Sequence, residues 1–139
     1  MNSKMLIVLI VLVVSGVVAV CGCTSDNSKD SGSVLNVSDV KVVPDGYGDY
    51  KCTCTIVPSK DLDYVEMVGI WYDASGAVVH KSSLMWNMNN LKAGQAVKAK
   101  GNGLLYDTGK PVKVQILIFD HAFHDGDESN AVFKQEIKL

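Results

Sequence analysis

The sequence contains no arginine: all 13 of its basic residues are lysine, against 15 acidic residues, for a net charge of −2. Without guanidinium groups the chain lacks the bidentate forks that dominate phosphate and base recognition. A nucleic-acid partner is therefore not expected, and a twin-arginine export signal is excluded. Catalytic punctuation is missing too. There is no Gly-x-Ser-x-Gly, no phosphate-cradling Gly-Lys-Ser/Thr, and no histidine with an evident Ser or Cys nucleophile on a suitable turn. The expectation is a protein that is not an enzyme and that uses no cofactor. Sustained helical periodicity is likewise absent. At 139 residues the chain has room for a leader and one domain of about 100 residues.

What is present begins at the N-terminus. Met1-Asn-Ser-Lys4 supplies a short positive region, and residues 5–20 form an apolar run relieved only by Ser15 and Gly16. That run is short for a membrane span and lies behind a single lysine, which favours a secretory signal over a transmembrane helix. Its end, Val18-Ala-Val-Cys-Gly-Cys-Thr-Ser25, resembles the lipobox of prokaryotic lipoproteins, with Gly22 immediately before Cys23 and Val20 three before it. The resemblance implies cleavage after residue 22 and lipidation of Cys23. An uncleaved signal anchor is the competing reading, and both readings place the remainder outside the cytoplasm. Residues 24–33, Thr-Ser-Asp-Asn-Ser-Lys-Asp-Ser-Gly-Ser, offer nothing apolar to bury and read as a flexible tether. The expected organisation is a signal over 1–22, a lipidated Cys23 and tether over 23–33, and a folded domain over 34–139.

The domain reads as short strands separated by Gly, Pro, Asn and Asp. Residues 34–43 form the first, with a change of parity at Ser38-Asp39 that predicts a bulge. Residues 50–57 place Tyr50, Cys52, Cys54 and Ile56 on one face and Lys51, Thr53 and Thr55 on the other, with Pro58 as the terminator. The central element is residues 64–79: Val65, Met67, Gly69 and Trp71 share a parity that predicts the core face, and Asp73-Ala-Ser-Gly76 then turns the chain back. Residues 84–91 are less regular, residues 95–100 read as a strand, and Gly101-Asn-Gly103 reads as a turn. Residues 112–119 and 131–139 give the last two strands, the latter with Ala131, Phe133, Ile137 and Leu139 on the apolar side. About seven strands at this spacing predict an all-β, antiparallel β-sandwich, with an up-and-down barrel as the rival.

Residues 64–94 resemble the FxLYD family, an Ig-like β-sandwich domain of prokaryotic, including archaeal, lipoproteins. Gly69-Ile-Trp-Tyr-Asp73 stands at the signature, Gly76-Ala-Val-Val79 at the returning strand, and Leu91-Lys-Ala-Gly94 at the later turn. The resemblance implies an Ig-like fold and a cell-envelope setting, and it brings no catalytic residues with it.

Three constellations carry chemistry-bearing side chains. Cys52 and Cys54 share a strand face about 6.6 Å apart, at the upper edge of what a disulfide tolerates, so buried free thiols are the expectation. Residues 121–128, His-Ala-Phe-His-Asp-Gly-Asp-Glu, hold the densest set of metal-ligating types. His121 and His124 suit zinc or a similar metal, and Asp125, Asp127 and Glu128 suit calcium. A polar hairpin loop predicts the same composition. Tyr47, Trp86 and Tyr106 fall in or near loops and form a candidate binding platform. The function expected from these features is a membrane-anchored, extracytoplasmic module that binds an envelope protein partner or serves a structural role there. The alternative is a metal-handling lipoprotein that uses residues 121–128.

Overall fold

A computed structural model describes residues 33–106, 108–123 and 127–139. The signal, Cys23 and the tether up to residue 32 lie outside the described residues, as do His124 and Asp125. Seven strands follow one another: β1 (Leu35–Gly46), β2 (Asp49–Pro58), β3 (Leu62–Tyr72), β4 (Val78–Leu91), β5 (Val97–Gly103), β6 (Lys113–Phe119) and β7 (Phe133–Lys138). They form two antiparallel sheets, β1-β2-β5 and β4-β3-β6-β7, which face each other as a sandwich. Placing β5 beside β2 and β6 beside β3 requires the chain to cross between sheets three times, the Greek-key connectivity of Ig-like domains. The all-β sandwich expected from strand spacing is the architecture found.

Registers define two ends. Leu35 pairs with Pro58, Leu62 with Leu91 and Ile56 with Val97, so these residues mark one end, where the chain enters at Ser33. The Tyr47-Gly48 turn, the Asp73–Gly76 turn and the β5–β6 connection mark the other. The Tyr47-Gly48 pair closes a two-residue hairpin with φ of 51° and 86°, the doubly positive geometry that suits the twist of paired strands. The bulge anticipated at Ser38-Asp39 is present: the β1–β2 register shifts between Ser38 and Lys41, and Asp39 has φ of 56°.

Alternation drives the core. Cys52, Cys54 and Ile56 from β2 and Val65, Met67 and Trp71 from β3 are buried together with Val114, Ile116 and Ile118 from β6. Trp71 is 0% exposed. Its indole N–H donates to Ser82 Oγ at 3.0 Å, and its ring lies 5.0 Å from that of Tyr50. A buried tryptophan on the third strand is a hallmark of Ig sandwiches, where it packs on an inter-sheet disulfide. Here the second strand offers two free thiols instead.

Gly101-Asn-Gly103, expected as a turn, is the last stretch of β5 and pairs with Tyr50, Lys51 and Cys52. The reason is close approach rather than chain reversal. A Cβ on Gly103 would lie 2.1 Å from Cζ2 of the Trp71 ring, and one on Gly101 would sit 2.8 Å from both Cβ and the carbonyl oxygen of Met85. Gly69 receives the same methionine, whose sulfur would lie 2.6 Å from a Cβ there. Three strand glycines thus make room for Trp71 and Met85. β4 accommodates this by bulging, since two steps along β3 from Met67 to Gly69 correspond to four along β4 from Trp86 to Ser82. Residues 78–91, expected as a short return and a separate irregular segment, are therefore one bulged strand.

The strongest departure from simple alternation is on β3. Val68 and Ile70, on the face opposite Trp71, are also fully buried and cluster with Leu117 and Phe119. From the two described parts of the β6–β7 connection, Phe123 and Ala131 pack on this outer cluster. Ala131 consequently covers the outer cluster and is not part of β7, whose inward residues are Phe133 and Ile137. Leu139 follows the strand and is exposed.

Candidate functional site

The β6–β7 connection holds the ligand-type residues, and the described ones among them have structural partners. Asp127 caps the short 3-10 turn Glu128–Asn130: its carboxylate accepts from Ser129 N at 2.9 Å, Ser129 Oγ at 2.6 Å and Asn130 Nδ2 at 3.1 Å. The Ser129 hydroxyl and amide hold this carboxyl below its ordinary pKa. Glu128 reaches across the sheet to Lys81 Nζ at 2.9 Å. His121 Nδ1 lies 3.0 Å from Asp120, and its ring stands edge-on to Phe119 at 5.6 Å between centroids. Phe119 and Phe123 stack at 4.6 Å.

Beneath Phe123 lies Glu66, a carboxylate 4% exposed that sequence reasoning passed over. It accepts the Phe123 backbone N–H and the Tyr64 hydroxyl. The signal was available as a lone acid inside an apolar strand. Its role is to fasten the connection to the sheet, because a buried carboxylate requires donors and these two supply them. Among the described residues, no three side chains of His, Cys, Asp or Glu converge as metal ligands would. Asp127, Glu128 and His121 each turn to a different neighbour.

The thiol pair is sealed. Cys52 and Cys54 are buried, and burial pushes their pKa values from 9.0 to about 12 and about 11; the neighbouring Cys54 adds to the effect at Cys52. At neutral pH both are protonated and act as small apolar core residues.

The third candidate changes character in three dimensions. Trp86 pairs with Met67 midway along the edge strand β4 and packs half-buried against the core, away from the other two aromatics. Tyr47 and Tyr106 come to the same end of the sandwich. Tyr47 sits at the tip of the β1–β2 turn, fully exposed, and Tyr106, 66% exposed, follows β5. The two segments are tied together by the Leu105 N–H, which donates to Asp49 Oδ1 at 3.2 Å. Leu104, Val112 and Val78 are exposed at this end as well. Val112 is held there by its N–H to Tyr72 O at 2.9 Å, and Val78 pairs with Tyr72. No single residue in the sequence marked these three, because exposure here follows from which strands end side by side.

This end is apolar on a firm base. Leu105 is buried, Gly103 beneath it is pressed on Trp71, and Asp73 ties its turn by accepting from Ser75 N, Ser75 Oγ and Ala77 N. Every buried side-chain nitrogen and oxygen among the described residues has a hydrogen-bond partner. Among the described residues, this exposed apolar group is a feature that internal structure leaves unused.

No family model matches the sequence, and no curated protein matches it. Among solved structures, it is similar to a DUF1425 family member from Shewanella sp. pv-4, at 20% identity and a TM-score of 0.44 over 66% of this chain and 81% of that one. It is also similar to part of the Bifidobacterium adolescentis GH3 beta-glucosidase, at 13% identity and a TM-score of 0.45, covering 76% of this chain and 17% of that one. Beta-glucosidase 3B from Thermotoga neapolitana gives 9% identity and a TM-score of 0.43 over 76% and 16%. The chain spans under a fifth of the length of either glucosidase, and likenesses at these levels say nothing about activity.

Proposed function

We propose that the protein is a membrane-anchored, extracytoplasmic lipoprotein whose FxLYD-like, Ig-type sandwich is a non-enzymatic interaction module of the cell envelope. The observation that carries this reading is the gathering of Tyr47, Leu104, Tyr106, Val112 and Val78 at the end opposite Ser33. The described chain enters the domain at the opposite end, at Ser33. Hydrophobic surface of this kind, with aromatic side chains that lose little entropy on binding, suits a protein partner better than a small polar solute. Among the described residues, the thiols are sealed and the carboxylates of the β6–β7 connection are engaged by neighbouring groups.

Anchoring rests on Val20, Gly22 and Cys23 and is tested separately. Mass spectrometry of the membrane fraction is expected to find a chain that starts at lipidated Cys23, and Cys23→Ser is expected to be unprocessed or released. An intact Met1 with unmodified Cys23 would replace the lipoprotein reading with the signal anchor.

A further inference from the structure

The outward face of the β1-β2-β5 sheet has a composition that neither the fold nor the Tyr47 end explains. Register places Lys41, Thr53 and Lys100 in one row across the three strands, and Thr55 beside Lys98 in the next. Lys51, in the row on the other side of Thr53, lies between Val43 and Asn102. Lys41, Thr53, Thr55, Lys98 and Lys100 border a shallow trough with a threonine floor and lysine walls, with Asp39 at its margin.

Four lysines on one face of a chain whose net charge is −2 is a marked asymmetry. Two of them have local partners. Lys51 pairs with Asp45, and Lys98 Nζ donates to Thr55 Oγ1 at 3.0 Å, which in turn donates to Asp39 at 3.3 Å. Lys41 and Lys100 have no acidic partner among the ion pairs of the described residues. Neighbouring strands are about 4.8 Å apart, so the two flexible stems flank Thr53 with their ammonium groups free to reach one layer of negative charge.

We infer that this face docks on the anionic headgroups of a lipid bilayer. Three observations favour that occupant. The face is a broad sheet surface without an enclosed pocket, which matches a planar array of charges. Its charge is lysine, a compact point charge that suits headgroups seen in many orientations. The chain outside the described domain joins at Ser33, next to β1, which is the edge strand of this same sheet. Ten tether residues reach at most about 36 Å, comparable with the length of a ten-residue strand such as β2, so the domain can lie along the surface that anchors it. In that pose the Tyr47 end points along the membrane and the Phe123-covered sheet faces outward. The inference rests on the anchored reading for its tether but not for its charge.

The test uses the full mature chain reconstituted in vesicles of phosphatidylcholine alone or with about a third phosphatidylglycerol. Lysines are labelled with a membrane-impermeant amine reagent and quantified by mass spectrometry. On anionic vesicles Lys41, Lys98 and Lys100 are expected to label roughly tenfold more slowly than on neutral ones, and the protection should vanish at about 1 M salt, where charges are screened within about 3 Å. Lys134 and Lys138, on the opposite sheet, should label equally on both. Lys41→Glu with Lys100→Glu, both at exposed positions, should abolish the protection of Lys98. Equal labelling of Lys41, Lys98 and Lys100 on the two vesicle types overturns the inference. So does protection of the same three lysines by soluble polyphosphate that exceeds protection by anionic vesicles, which would reassign the face to an anionic polymer. If the chain fails to sediment with neutral vesicles, the anchored reading fails by itself. The face is then judged by salt-sensitive sedimentation with anionic vesicles, whose absence overturns it.

Discussion

The β6–β7 connection and the Tyr47 end carry opposite lessons. The connection has the residue types that textual reading associates with function, His121, Asp127 and Glu128, yet all three are engaged within the fold: Asp127 caps a turn, Glu128 pairs with Lys81, and His121 lies against Asp120 and Phe119. The Tyr47 end has no reactive side chain in prominence, yet its apolar residues are exposed over a rigid base and have no structural use. Chemically rich residues can thus be fully employed by architecture, whereas exposed apolar ones next to a well-packed core call for a partner.

That contrast depends first on the base being rigid. Trp71→Ala should cost about 3 to 5 kcal/mol, from lost burial and the cavity left between Tyr50, Gly103 and Met85. Urea unfolding measures it, and a loss under about 1 kcal/mol would mean that the end is not built on Trp71. Gly103→Ala should cost about 1 to 3 kcal/mol through overpacking against the same ring, although alanine is ordinarily the better strand residue. Ser82→Ala, which strands the buried indole N–H, should cost about 1 to 3 kcal/mol as well.

Legibility in the sequence followed the range of the interaction. Alternation in β2 and β3 identified the core faces, because period-two burial is a local property, and the bulge at Asp39 showed as a parity change. Gly101 and Gly103 misled because glycine serves turns and close contacts alike, and only the neighbouring sheet reveals that Trp71 and Met85 lie against them. The outer burial of β3 was equally hidden, since Phe123 and Glu66 are 57 residues apart and meet only in the folded chain. The coming together of Tyr47 and Tyr106 required strand order, which composition does not contain.

Alkaline titration sharpens the account of the interior. Cys52 and Cys54 have folded pKa values raised above 9.0, so the folded state holds their protons more tightly than the unfolded chain does. Their contribution is complete below pH 9 and should be lost as pH rises toward about 11 to 12. Stability of the wild type should fall across that window more steeply than that of Cys52→Ala with Cys54→Ala. At neutral pH both thiols should resist alkylation until the domain unfolds.

The smallest effects belong to the connection. Asp127→Ala should lower the melting temperature only slightly, with the wild-type advantage present at neutral pH and fading as acid protonates a carboxyl held below its ordinary pKa. Zinc, copper, nickel or calcium should leave the melting temperature unchanged at concentrations well above micromolar. A rise abolished by changing His121 and His124 to Ala would reverse the contrast and restore the metal-handling alternative.

The most direct test places a photo-crosslinker beside each region and compares capture in intact cells. With the probe at Val112, a discrete protein adduct is expected that disappears in a Tyr47→Ser, Tyr106→Ser variant whose unfolding curve matches the wild type. With the probe at Asn130, near the capped turn, no adduct of that size should form. Capture at Asn130 that survives the tyrosine changes and is lost with His121→Ala would contradict the account.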